Sequence, residues 1–276
     1  MGTLYLVATP IGNLEDISPR ALRLLAQASL VAAEDTRQTR KLLTHFKIQT
    51  PLTSYHEFNK IGKLTHILAA LEHGDVALVS DAGTPALNDP GYELVRAALA
   101  AGYPVSPIPG PTAPIAALVA SGLPTDAFLY LGYLPRKAAE RRRLLAEVAG
   151  LPYTLIFLES PHRVQEALQD LEKELGDRPV AVARELTKLH EEIFRGSLAE
   201  ALAHFTQQAP RGEFTLVVGG KPQTLEAWSE EQLRAELKKA LESGEPPSQA
   251  AARIAAEAGW PRREVYRIVT GTDGDG

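Results

Sequence analysis

Between Leu4 and Ser121 short apolar runs alternate with amphipathic stretches, and that alternation limits the fold more than any other feature of the chain. Strands are expected at Leu4–Thr9, Leu30–Ala33, Leu52–Tyr55, Asp75–Ser80 and Val105–Ile108. Helices are expected between them. One begins at Ser18-Pro19, with Ser as N-cap, Pro in the first turn, and Leu22 and Leu25 on one face. Others cover Thr36–Phe46, Asn59–Glu72 (stopped by Gly74), Tyr92–Ala101 and Thr112–Ser121. Such alternation means a mostly parallel sheet covered by helices. Ligands of such sheets sit beyond the carboxyl ends of the strands.

The pattern then shifts. Strands are expected at Phe128–Leu131, Thr154–Leu158, Pro179–Arg184, Glu192–Gly196 and Phe214–Val218, the last three close together with one helix between, which predicts a mixed sheet. The boundary between the two αβ halves falls near residues 117 to 127. Lys221–Glu226 reads as a polar linker, followed by helices at Ser229–Glu242, Ser248–Ala258 and Arg262–Thr270. The last two flank Gly259-Trp260-Pro261, a helix-turn-helix pattern. The closing GTDGDG reads as a frayed tail. The expected division is 1–118, 119–222 and a helical appendage at 223–276.

Composition removes several classes of function. There is no cysteine, so disulfides, thiolate catalysis and thiolate metal sites are excluded. The seven histidines form neither H-x-x-x-H nor H-E-x-x-H, so no metal is expected. There is no G-x-S-x-G elbow, no P-loop and no G-x-G-x-x-G fingerprint. No apolar run is long enough for a membrane helix, and the first residues lack the pattern of a signal peptide, so a cytoplasmic location and no membrane partner are expected. A net charge of −5 argues against general stickiness for nucleic acid and still allows a local basic footprint.

Four strand-end stretches carry the candidates for chemistry. In ATPIGNLED, Pro10 stiffens the turn and Gly12 lets backbone approach a ligand; a plain strand-to-helix connection reads equally well. In SDAGTPALNDPG, a long, stiffened loop carries Asp81, Asn88 and Asp89. Asp81 at the strand end favours ligand contact, while Asp89 suits an N-cap. In PIPGPTAPIAAL, Thr112 stands at a helix start, and Gly110, Ala113, Ala116 and Ala117 leave room for a flat group or for close helix packing. In AAEDTRQTRKLLTHF, Glu34 and Asp35 precede a helix whose Arg37, Arg40 and Lys41 share one face, either a well-capped solvated helix or a carboxylate site beside a phosphate-holding face. Basic runs at Pro135–Arg143, and at Arg253, Arg262, Arg263 and Arg267 beside Trp260 and Tyr266, are possible phosphate contacts; charge runs are more often solvated faces.

Taken in order, LYLVATPIGNLEDIS, AAEDTRQT, SDAGTPALNDPG, PGPTAPIAAL, FLESPHR and ARELTK resemble the small-subunit ribosomal RNA cytidine-2′-O-methyltransferases of the tetrapyrrole methylase superfamily, over essentially the whole chain. The resemblance implies an α/β fold of two αβα domains with a cofactor cleft between them and a small helix-turn-helix-like appendage. It implies S-adenosylmethionine as cofactor, a cytidine ribose in the decoding region of 16S rRNA (free or in the small ribosomal subunit) as acceptor, and a homodimer. Carried over by motif, the cofactor contacts are Pro10, Asp81, Thr84, Thr112 and Ala113, with Leu158, Ala183 and Thr215 from the second half. A base for the hydroxyl proton is sought among Glu34, Asp35, His56 and Glu185, with Glu34 and Asp35 preferred and Arg37 placing phosphate; Tyr133 is a stacking candidate. One position departs from the family pattern: Lys60 follows HEFN where an acid is usual, which leaves Glu57 as a substitute. The alternative is a small-molecule methyltransferase of the tetrapyrrole branch, which would share the cleft without needing the basic run or the appendage.

Overall fold

A computed structural model describes residues 1–207, 210–222 and 228–270. The GTDGDG tail, and positions 223–226 of the expected linker, lie outside the described residues. The chain divides into two compact units, Met1–Lys221 and Pro222–Gly276.

The first unit contains two sheets. Strands β1 (Leu4–Val7), β2 (Leu30–Ala33), β3 (Leu52–Ser54), β4 (Val76–Val79) and β5 (Val105–Ile108) form a parallel sheet of order β3-β2-β4-β1-β5. β2 and β4 are buried at every position, because helices cover both faces. On one face, α1 (Pro19–Gln27) and α2 (Thr36–His45) bury Ala21, Leu24, Leu25 and Leu43 against Val7, Val31 and Val79. On the other, α3 (Lys60–His73) and α4 (Tyr92–Ala100) bury Ile67, Leu71 and Leu94 against Leu4, Leu30 and Leu78. As expected, Ser18 caps α1, its hydroxyl accepting from the Ala21 N–H at 3.1 Å.

The second sheet is mixed, as the strand spacing predicts. It has the order β6-β7-β10-β8-β9, from β6 (Phe128–Tyr133), β7 (Thr154–Glu159), β8 (Pro179–Arg184), β9 (Glu192–Ser197) and β10 (Phe214–Val218). Only β6 and β7 run parallel; the other pairs are antiparallel. Helices α6 (Ala138–Val148), α7 (Val164–Leu175) and α8 (Leu198–Gln207) cover one face. Helix α5 (Ala113–Ser121) covers the other, with Ala117 and Leu118 against Ile156, Ala181, Ala183 and Val217. So the helix that leaves the first sheet packs on the second, and joins the two.

The second unit is three helices, α9 (Glu230–Glu242), α10 (Pro247–Ala258) and α11 (Arg262–Thr270), around Leu233, Leu237, Ile254 and Val265. Ser229 and Gln232 cap α9 reciprocally. Gly259, at φ +67, ends α10, and the Trp260 indole donates to the Trp228 carbonyl at 2.7 Å. Trp260 is thus part of the core of this unit, while Arg262, Arg263 and Arg267 are exposed. Arg253 is spent on Glu245, at 2.7 Å.

Candidate active site

All five strands of the first sheet point their carboxyl ends toward one edge, so their loops meet there. Instead of extending β1 to Thr9, as the sequence predicts, the chain turns after Val7. Thr9 and Gly83 then exchange backbone hydrogen bonds at 2.9 and 3.0 Å, an antiparallel bridge between two loops. Gly83 has φ +80, a conformation glycine adopts at no steric cost. Strain enters further along the same loop, where Ala86 and Asn88 are non-glycine residues at φ +67 and +65.

A cleft of about 330 Å³ opens between these loops and the second sheet. The first half contributes Glu34, Asp81, Thr84, Asn88 and Asp89. The start of α5 contributes Thr112 and Ala113. The second half contributes Tyr130, Tyr133, Leu158, Glu159, Glu213 and Thr215. A bulge between Tyr130 and Tyr133, with Gly132 at φ +65, re-aims the end of β6 so that both tyrosines reach the cleft.

The cleft is acidic. It is lined by five carboxylates, Glu34, Asp81, Asp89, Glu159 and Glu213, and by no lysine, arginine or histidine. Burial pushes Glu34, Asp81, Asp89 and Glu159 above the usual carboxylate range. Neighbouring acids add to this for Glu34, Asp81 and Asp89. Among the described residues no group of His, Asp and Glu has the arrangement of a metal site. Glu159 is paired with Arg163 at 3.1 Å and Glu213 with Lys188 at 3.3 Å, whereas Glu34, Asp81 and Asp89 have no ion pair among the described residues, and such an unpaired set of acids suits an organic cation.

The model for tetrapyrrole (corrin/porphyrin) methylases matches residues 3–202. The chain belongs to the tetrapyrrole methylase family. The ribosomal RNA small subunit methyltransferase I of Synechocystis sp. is 50% identical to it, over 100% of both chains. The protein of the same name from Halalkalibacterium halodurans is 48% identical, over 97% of this chain and 94% of its own. A crystal structure of uroporphyrin-III C-methyltransferase from Thermus thermophilus, complexed with S-adenyl homocysteine, has the same fold. It is 22% identical with a TM-score of 0.54, covering 78% of this chain and 97% of that one. This tetrapyrrole methylase extends past the matched region, into β10 and the helical unit, and the Synechocystis relative matches that extension too.

In this methylase, eight residues singled out from the sequence meet on the cleft wall: Glu34, Asp81, Thr84, Thr112, Ala113, Tyr133, Leu158 and Thr215. Pro10 lies on an adjoining cavity behind Ile11 and Asp81. Ala183 is buried in β8, paired in register with Thr215, and does not line the cleft. Asp35 caps α2 and is ion-paired to Arg37 at 2.6 Å, which holds its carboxyl down to about 2. Arg37 itself faces an outer groove with Arg40 and Lys41. His56 is held by Asn59 in the loop after β3, and Glu185 by Lys188 at 2.8 Å, so neither lines the cleft. Lys60, where the family pattern has an acid, bridges Glu57 and Glu93 at 2.9 and 2.6 Å. Asp89 lines the cleft and does not cap α4, whose N-cap is Gly91.

Five polar residues of the cleft carry no ligand-contact assignment from the sequence: Asn88, Asp89, Tyr130, Glu159 and Glu213. Glu159 has a legible signal, since it is the residue after Leu158 at the carboxyl end of a parallel strand. The basic run Pro135–Arg143 divides. Arg141 is 2% exposed and donates to Asp170 at 2.7 Å, with Arg142 donating to the other oxygen of the same carboxylate at 2.7 Å.

Proposed function

We infer that this chain is an S-adenosylmethionine-dependent methyltransferase of small-subunit ribosomal RNA. The full-length likeness to ribosomal RNA small subunit methyltransferases supports the reaction, and the acidic, cation-free lining of the cleft carries the cofactor. S-adenosylmethionine has a sulfonium and an ammonium group, and both are attracted by the acids of the cleft, foremost the unpaired Glu34, Asp81 and Asp89. Its carboxylate suits the start of α5, where Thr112 makes no side-chain cap bond and its hydroxyl stays available. Tyr130 and Tyr133 offer aromatic surface to the adenine. When bound, the cofactor supplies an activated methyl group with its own leaving group.

The chain's own work is alignment, water exclusion and proton removal. We propose that the acceptor is the ribose 2′-oxygen of a cytidine in the decoding region of 16S rRNA. Glu34 is the better of the two preferred bases. Burial and the neighbouring acids raise its proton affinity, whereas the Arg37 pair holds Asp35 at about 2. Arg37 stands at the mouth of α2, where a phosphate approaches. The working domain division stays at 1–118, 119–222 and 223–276, and the proposed active form is a cytoplasmic homodimer.

Nucleoside analysis tests the acceptor. Small subunits methylated with this enzyme, digested to nucleosides and resolved by mass spectrometry, should yield ribose-methylated cytidine. A base-methylated nucleoside would overturn the 2′-oxygen assignment.

A further inference from the structure

Behind the acidic cleft lies a second cavity, about 560 Å³ in volume, whose cations stand on the side away from the cleft. The two share Ile11, Asp81, Ala82 and Glu213 as a partition. Beyond that partition the second cavity is walled by the Thr9–Gly12 turn and by one face of α2. Its remaining titratable residues are all basic: Lys41 and His45 from α2, and Lys188 from the loop after β8. The rest of the wall is mixed, apolar at Pro10, Leu14 and Leu42 and polar but uncharged at Thr9, Gln38, Thr39 and Ser80.

Lys41 also faces the outer groove, with Arg37, Arg40 and Thr44. These positions follow i, i+3, i+4 and i+7 spacing, so one ridge of α2 carries positive charge from the cavity outward. Two of these cations have no acid partner among the described residues. The Lys41 ammonium donates only to the Gln38 amide oxygen, at 3.0 Å, and Arg40 makes no ion pair among the described residues. Arg37 and Lys188 differ: Arg37 is paired with Asp35, and Lys188 with Glu185 and with the cavity's own Glu213.

We propose that this cavity seats the acceptor nucleotide of a single-stranded polynucleotide, and that Arg40 and Lys41 hold the phosphodiesters flanking it. The assignment rests on the methyltransferase reading above. Charge sorts the two substrates: a cationic cofactor against the unpaired acids of the cleft, a polyanion against the unpaired cations of α2, meeting at the partition where Asp81 stands. A wall that mixes apolar and uncharged polar groups suits a sugar and base, and unpaired cations suit phosphate.

The test uses the full chain and a fluorescent single-stranded RNA oligonucleotide, with Lys41→Gln, Arg40→Gln and the double variant. Each single change is expected to weaken RNA binding roughly fivefold and to reduce the salt slope of log K by about 1. Cofactor affinity, read by calorimetry, should stay within error, and Lys41→Arg should restore RNA binding because it keeps the charge. A double variant with unchanged RNA affinity and salt slope overturns the assignment, as does one that loses cofactor affinity in parallel. Methyl transfer to small subunits separates the two readings. An active enzyme with an unaffected double variant sinks only the nucleotide seat. A wild type whose RNA binding depends on Lys41 and Arg40, and which methylates no RNA, sinks the methyltransferase reading and leaves the seat standing.

Discussion

The Asp81 carboxylate accepts a hydrogen bond from the backbone N–H of Asp35 at 2.9 Å. In return the Asp81 N–H lies 3.5 Å from Glu34 Oε2. The loops after β2 and β4 are thus laced together, and the lacing brings like charges close. Acids held together against their own repulsion are a feature of sites more than of stable cores. Asp81→Asn keeps an oxygen for the Asp35 N–H and removes one charge. The cofactor-free thermal midpoint should rise by a few degrees in scanning fluorimetry. Calorimetry should show S-adenosylmethionine binding about tenfold more weakly, the scale of one charge–charge contact at a half-buried site. An unchanged affinity would contradict the electrostatic account of the cleft.

The same cluster sets a pH dependence. Burial raises the folded-state values of Glu34, Asp81, Asp89 and Glu159 above their unfolded ones. In that window the folded chain holds more protons than the unfolded chain, so these groups favour folding increasingly as pH falls. A cationic ligand prefers the ionised form. Cofactor affinity should therefore drop as pH falls through the window, and binding there should release protons. Calorimetry in two buffers of different ionisation enthalpy reads this directly, and proton uptake would contradict it.

Gly132 connects the second sheet to the loop after β4. Its φ is +65, and a Cβ built there would crowd the Asn88 side chain, with Cγ at 3.0 Å. Gly132→Ala should cost about 1–2 kcal/mol in urea denaturation, from backbone strain alone. It should also weaken cofactor binding, because the bulge that aims Tyr133 has to shift.

Arg141 belongs to the fold. Its guanidinium is 2.6 Å from Asp170 and nearly inaccessible, so Arg141→Ala leaves a buried carboxylate with half its partners and should cost about 3 kcal/mol. Arg143, whose exposed pair with Glu147 is 3.8 Å long, should cost under about 0.5 kcal/mol when changed to Ala. Urea midpoints of the two variants separate a structural arginine from a solvated one.

The first sheet was legible because its strands are short, apolar and punctuated, and the strand-end rule then pointed to Asp81. What local pattern does not encode was missed. Thr9 leaves β1 to pair with Gly83, more than seventy positions away, so the strand ends early. Tyr130 enters the site through a bulge that depends on Gly132. Arg141 sits in what reads as a solvated run, since Asp170, which buries it, comes 29 positions later. Helix α5 reads as part of the first half, yet its small residues pack on the second sheet. That is the close-packing alternative for Ala117, while Ala113 lines the cleft.

Transfer of a labelled methyl group tests the central claim most directly. Wild-type protein and Asp81→Ala would be incubated with labelled S-adenosylmethionine and either small ribosomal subunits or bare 16S rRNA lacking the modification. The account predicts label in the RNA with wild type, and at least tenfold less with the variant. Cofactor binding by the wild type with no label in either RNA would contradict it, and would move the acceptor to a small molecule.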